Sequence, residues 1–137
     1  MVYLTRVEHF NAAHKLYNES WTAEKNEEVF GKCANANWHG HNYELHVTVK
    51  GEPSKETGFV CNAKELGSLI KQVIVEQVDH RNLNLDVPFM KGKFTSAENL
   101  TIAIWDELRP HVEQMGVQLH KLMLRETRNI YVEYYGA

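Results

Sequence analysis

Along this chain the spacing of hydrophobic positions switches between a period of two and a period near 3.6, and each switch marks an element. Residues from about 2 to 14 are rich in β-branched and aromatic types and read as a strand, whose last part, Phe10-Asn11-Ala12-Ala13-His14, carries an isolated histidine. The alternation is strictest where Tyr43, Leu45, Val47 and Val49 interleave with Glu44, His46, Thr48 and Lys50, and that run predicts the clearest strand. If the extended conformation reaches back to His39, then His39 and His41 share the face of Tyr43 and Leu45. Gly51-Glu52-Pro53-Ser54 ends the strand, and Thr57-Gly58 is a second turn signal.

Leu66, Leu69, Ile70, Val73 and Ile74 follow helical spacing from about Ala63 to Val78, with Asn62 able to cap the start. A second helix is predicted from about Ser96 to Arg109, opened by a Thr95-Ser96-Ala97-Glu98 capping box and ended by Pro110. Residues 117–126 and 129–135 predict two further strands joined tightly at Thr127-Arg128-Asn129. The polar segment from Asn18 to Glu28, with Trp21 as its one large apolar residue, predicts an exposed loop with room for a helical turn. The order of elements gives an α+β fold, a four-stranded antiparallel sheet with two helices inserted between strands 2 and 3. Such a sheet leaves two open edges, which neighbouring subunits commonly cover.

Composition narrows the setting without changing that outline. The 137 residues form a single domain, 1–137, with no repeats or linkers. Hydrophobic content of 43% against 24% charged residues is that of a globular protein. The formal charge of −3 leaves no electrostatic footprint for nucleic acid, and no apolar run is long enough to span a bilayer. Met1 to Arg6 lack a signal-peptide pattern, and two isolated cysteines, Cys33 and Cys61, make no disulfide framework. The expected setting is a reducing cytoplasm.

The candidate chemistry gathers around Cys33 and the pair His39/His41. Two imidazoles two residues apart on an extended segment project from one face and can reach one ion, and neutral imidazole is the commonest ligand for Zn²⁺. His14 is the natural third ligand, which would leave an open, catalytic type of site; the plainer alternative is a histidine satisfied by hydrogen bonds at a strand end. Cys33 has three readings that residue chemistry leaves open: a fourth ligand closing a structural site, a small buried hydrophobe, or a reactive thiolate. Asp79-His80 is either a proton relay or a polar helix terminus. Glu126 is either an acceptor for paired N–H donors of a guanidine-like ring edge or a solvated carboxylate. The capping box accounts for Glu98, Cys61 reads as packing, and His9, His46, His111 and His120 show no partner pattern.

Six pieces of the chain, taken in order, resemble the 6-pyruvoyltetrahydropterin synthase family. They are Phe10-Asn11-Ala12-Ala13-His14, Phe30-Gly31-Lys32-Cys33, His39-Gly40-His41-Asn42-Tyr43, Asp79-His80-Arg81-Asn82-Leu83, Glu98-Asn99 with Ile104-Trp105, and Glu126-Thr127. The resemblance implies the tunnelling (T-fold) type of fold and zinc held by His14, His39 and His41. It makes Cys33 the general base, Asp79 and His80 its relay, and Glu126 the anchor of the pterin ring. It implies conversion of 7,8-dihydroneopterin triphosphate to 6-pyruvoyltetrahydropterin with loss of triphosphate, in a homo-oligomer of trimers stacked to a hexamer with sites between subunits. A sister branch, the 6-carboxytetrahydropterin synthases of queuosine biosynthesis, uses the same substrate but releases acetaldehyde as well. Its cysteine typically stands closer to the His-Gly-His motif than the five intervening residues here, so the spacing resembles the pyruvoyl branch. A branch with glutamate near the cysteine position is disfavoured by Cys33. Ala97 departs from the hydroxyl-bearing residue usual at its position and bears on substrate selectivity. A zinc-stabilised pterin-binding module without turnover is the non-enzyme alternative, and it would place Cys33 on the metal.

Overall fold

The computed structural model describes residues 1–137. Two long strands carry it. β1 (Val2–His14) and β2 (His39–Gly51) pair antiparallel throughout, from Val2 opposite Gly51 to His14 opposite His39. β4 (Gln118–Thr127) adds to the far side of β2, with a bulge opposite Thr48/Val49, and β5 (Ile130–Tyr134) closes the meander. The strands fall where alternation predicts them, and β2 does extend back to His39.

The sheet has five strands, not four. β3 (Arg81–Asn82) runs parallel to β1 at Ala12 and Ala13, giving the order β3-β1-β2-β4-β5. Two residues carry no readable period, so nothing in the hydrophobic pattern announces this strand.

Between β2 and β3 lies one helical rod: α2 (Ala63–Ile70), a π turn (Lys71–Val75) and α3 (Glu76–Val78). Asn62 caps it as expected, accepting from the N–H groups of Lys64 and Glu65. α4 (Ala97–Gln114) follows, and its start is corrected by one residue. Ser96, not Thr95, is the cap, and its hydroxyl accepts from the Asn99 N–H, so Glu98 is not the back-reaching member of a capping box. The helix also runs through Pro110 to Gln114. Proline forfeits one i−4 hydrogen bond, and the buried contacts of Leu108 and Val112 on either side hold the helix across that gap. The Asn18–Glu28 stretch is likewise not a plain loop. It contains the start of α1 (Ala23–Phe30), capped by the Thr22 hydroxyl on the Lys25 N–H and locked by buried Asn26.

All the long helices lie on one face of the sheet. Leu66, Ile70, Leu100, Ile104 and Leu108 meet Leu45, Val47, Leu122 and Leu124 in a continuous apolar layer. Phe10, Ala12 and His14 of β1 share that face with His39, His41 and Tyr43 of β2, so the core layer ends in histidines. The opposite face is polar, with a Thr5–Thr48 hydroxyl pair and a His46–Glu44–Arg125 cluster.

Candidate active site

Register alone brings the three histidines together. His14 is the last residue of β1 and lies opposite His39, the first of β2; His41 lies opposite Ala12 on the same face. Gly40 between them lets the strands close up, since a Cβ there would stand 3.2 Å from the Ala12 carbonyl oxygen. Ring centroids are 4.5 Å apart for His14 and His39, 5.1 Å for His14 and His41, and 5.0 Å for His39 and His41. One ring nitrogen from each lies within 4.8 Å of the other two.

The protonation of these rings follows from their surroundings. His14 is 1% exposed, and its Nδ1 donates to the Thr95 carbonyl oxygen at 2.7 Å. A carbonyl only accepts, so the proton is on Nδ1 and Nε2 keeps its lone pair. Burial drives the His14 pKa down to about 4; the Thr95 bond opposes this, while His39 and His41 add to it. Burial and then His41 lower His39 too. His14 Nε2, His39 Nδ1 and His41 Nε2 are buried with no hydrogen-bond partner. A buried unpaired nitrogen costs about 1–3 kcal/mol, and three converging on one spot are explained by a shared cation. Neutral imidazole nitrogens suit a zinc-type ion, so these residues fit the metal that the motif implies.

Cys33 lies close by in the chain path but outside the donor group. It sits on a 3-10 turn, Gly31–Ala34, tied to the strand end by a 2.8 Å bond from the Leu16 N–H to its carbonyl. The thiol is free and half-buried. Three histidines without a sulfur would make the open type of site if they hold a zinc ion.

Asp79 and His80 form a unit on the outer side of β1, just before β3. The Asn11 N–H donates to Asp79 Oδ1 at 2.9 Å, and His80 Nδ1 pairs with Asp79 Oδ2 at 2.9 Å. The Asn11 bond, reinforced by His80, holds the Asp79 carboxyl below its usual range, so it is ionised and orients the imidazole. His80 has φ of +60°, a left-handed conformation that turns the chain while its own N–H bonds the Asn11 carbonyl at 2.7 Å. Its side chain is exposed.

Glu126, the last residue but one of β4, lies on the helix-covered face, with Oε1 3.7 Å from His41 Nε2. Burial raises its pKa; His41 works against this and Glu98 adds to it. An open cleft of about 730 Å³ joins His41, Glu126, Asp79 and His80, with Tyr43 and Asn11 in its wall. His14, His39 and Cys33 do not line that cleft. Sequence reasoning missed three groups here. Thr95 fixes His14, and its backbone carbonyl leaves no sequence signal. Glu98 stands near Glu126, a proximity hidden by the apparent capping box. Tyr43 is visible only as a core position of the alternation, yet its hydroxyl is buried without a partner. His46, which shows no partner pattern in sequence, is paired with Glu44 at 2.8 Å.

A helix-backed, mostly antiparallel sheet, with three imidazoles that could hold a metal ion beside a carboxylate-lined cleft, is the arrangement of an α+β enzyme. Residues 3–137 match the family described as 6-pyruvoyl tetrahydropterin synthase, and the chain belongs to that family. It is 41% identical over 135 residues to a 6-pyruvoyl tetrahydrobiopterin synthase of Dictyostelium discoideum, covering 98% of this chain and 96% of that one. The human protein of the same name is 42% identical over 127 residues, covering 93% and 86%. The solved 6-pyruvoyl tetrahydropterin synthase of Caenorhabditis elegans superposes with a TM-score of 0.91 at 36% identity, covering 99% and 96%.

Proposed function

We propose that this protein is a lyase that converts 7,8-dihydroneopterin triphosphate to 6-pyruvoyltetrahydropterin with elimination of triphosphate. The observation that carries the reading is the convergence of three unpartnered imidazole nitrogens, from His14, His39 and His41, in a chain of this family. Those residues would hold Zn²⁺, which supplies Lewis acidity toward the hydroxyls of the substrate side chain.

The chain's own residues do the rest. Glu126 accepts N–H donors from the amino-pyrimidine edge of the pterin; its burial makes a charge-assisted contact there stronger than in water. Cys33 takes the proton from a side-chain carbon and later returns one, as the nucleophilic and basic form of the thiol is the thiolate. Asp79 holds His80 in one tautomer, so that the imidazole can pass the proton on. Loss of triphosphate takes away the C–O electron pair, and the proton shifts that follow reduce the ring as they oxidise the side chain. No external reductant is needed.

Long unpaired edges support a homo-oligomer, which we take to be a hexamer built as a dimer of trimers. β1 is paired on its outer side only at Ala12 and Ala13, and β5 has no outer neighbour.

The test is incubation of the zinc-loaded protein with dihydroneopterin triphosphate and product identification by mass spectrometry, with Cys33→Ala as control. The pyruvoyl product from the parent alone supports the reading. The 6-carboxy pterin with acetaldehyde would move the chain to the queuosine branch, and no turnover of this substrate would overturn both.

A further inference from the structure

His39 and His41 have no hydrogen bond from either ring nitrogen to the protein, whereas His14 is held at Nδ1 and its chain neighbour is braced. Its Nδ1 is bound by Thr95, and the residue after it, Lys15, is gripped through its backbone. The Lys15 N–H donates to Asn84 Oδ1 at 3.1 Å, and Asn84 Nδ2 donates to the Lys15 carbonyl at 3.1 Å. One side-chain amide thus replaces a rung of the sheet just where β1 ends. The two bonds also fix the amide's orientation, since oxygen can only accept and NH₂ only donate.

Thr95 joins this clamp to the imidazole. Its hydroxyl is buried, 3.0 Å from Asn84 Oδ1 and 3.2 Å from the Lys15 carbonyl oxygen. A hydroxyl has one proton, so it serves these acceptors in turn, but either choice ties Thr95 to the clamp. The carbonyl of the same residue receives the His14 proton. Asn84 is itself prearranged. Its N–H and that of Leu85 bond the Asn82 side chain at 2.9 and 3.2 Å, and the Leu83 N–H bonds the Ala13 carbonyl at 2.8 Å. The segment from Asp79 to Asn84 therefore runs along β1 from Asn11 to Lys15 as one brace.

We infer that Asn84 and Thr95 are positioning residues of the metal centre, fixing the tautomer and direction of His14 so that Nε2 faces His39 and His41 before any ion arrives. The inference rests on the metal-centre reading above. Outer partners that lock a ligand imidazole typically change metal affinity by roughly 10–100-fold, because a free ring must be ordered at the moment of binding. The other two histidines are ordered by their strand positions alone, so the clamp's contribution falls on His14.

The test is Co²⁺ titration of the chelator-stripped full chain, read from the visible absorption of the bound ion, with Zn²⁺ affinity measured by chelator competition. Asn84→Ala and Thr95→Val should each weaken binding by roughly tenfold or more. Thr95→Ser, which keeps the hydroxyl, should restore affinity to near the parent value. Long-range ¹H–¹⁵N spectra of the metal-free protein should show His14 with its proton on Nδ1 in the parent and a mixture of tautomers in Asn84→Ala. Affinities unchanged in both variants, with only the thermal midpoint lowered, would make the clamp merely structural and overturn the inference. A parent protein that takes up neither ion would instead overturn the metal-centre reading, and the inference with it.

Discussion

His14 is neutral in the folded chain well below the pH at which a free histidine takes up a proton, because burial depresses its pKa from 6.5 to about 4. Between those values the unfolded chain binds a proton that the folded one refuses, so stability falls as pH is lowered through that window. The effect is on the order of 3 kcal/mol for a fully buried ring. Urea midpoints of the metal-free protein should drop from pH 6.5 to pH 4, and more steeply than in His14→Gln; parallel curves would contradict the burial argument. Glu126 has the opposite sign. Its raised pKa means that the folded state keeps a proton which the unfolded state has released, so the carboxylate is destabilising once the pH exceeds 4.5. Glu126→Gln should therefore be more stable than the parent at pH 7 but not at pH 4. The same change should weaken pterin binding by roughly 10–100-fold through loss of a charged acceptor, as titration calorimetry would show. Cys33→Ala should abolish turnover while Zn²⁺ uptake persists, since the thiol lies outside the donor group. Loss of the metal in that variant would place sulfur in the coordination shell.

At the scale of elements, Gly67 shows how packing overrides propensity. Glycine in mid-helix costs about 1 kcal/mol against alanine, yet a Cβ here would stand 2.7 Å from Arg6 Cζ. Arg6 pairs through Nε with Glu8 Oε1 at 3.0 Å, and Glu8 is buried, so displacing the guanidinium leaves a carboxylate short of its partner. Gly67→Ala should lower the thermal midpoint in the parent and raise it in an Arg6→Ala background; the same sign in both would sever the link. The two long strands and the Asn62-capped rod were legible because a period of two or of 3.6 persists over many residues. Where the pattern erred, the cause was local. Ser96 and Thr95 are both competent caps, and which one turns out is decided by Thr95 being drawn inward to His14, Lys15 and Asn84. Asn26 makes α1 through buried side-chain bonds to the backbone of Asn18 and Thr22, and polar side chains carry no period.

At the scale of the molecule, a core of 22 buried residues is continuous from α4 to β1 without passing through the three histidines. Chelation should therefore leave the far-UV dichroism intact and lower only the thermal midpoint; collapse on metal removal would be the signature of a structural site. The bare outer edges of β5 and of β1 before Asn11 predict association, and sedimentation should find a species near six times the 15.9 kDa chain. A monomer at micromolar concentration would leave two long strand edges in water and contradict that reading.

The sequence by itself determined the α+β class of the fold and its two long strands, because alternation is a local property of the chain, and it offered His14, His39 and His41 as candidate ligands that the family resemblance joined into one set. Only the tertiary structure decided how those residues meet. The rung that pairs His14 with His39, the carbonyl that sets the His14 proton and the loop that braces Lys15 all join residues distant in sequence. The same is true of the environment that neutralises one histidine and protonates a carboxyl more readily than water would. Register, desolvation and backbone hydrogen bonds belong to pairs of segments, and no single stretch of residues encodes them.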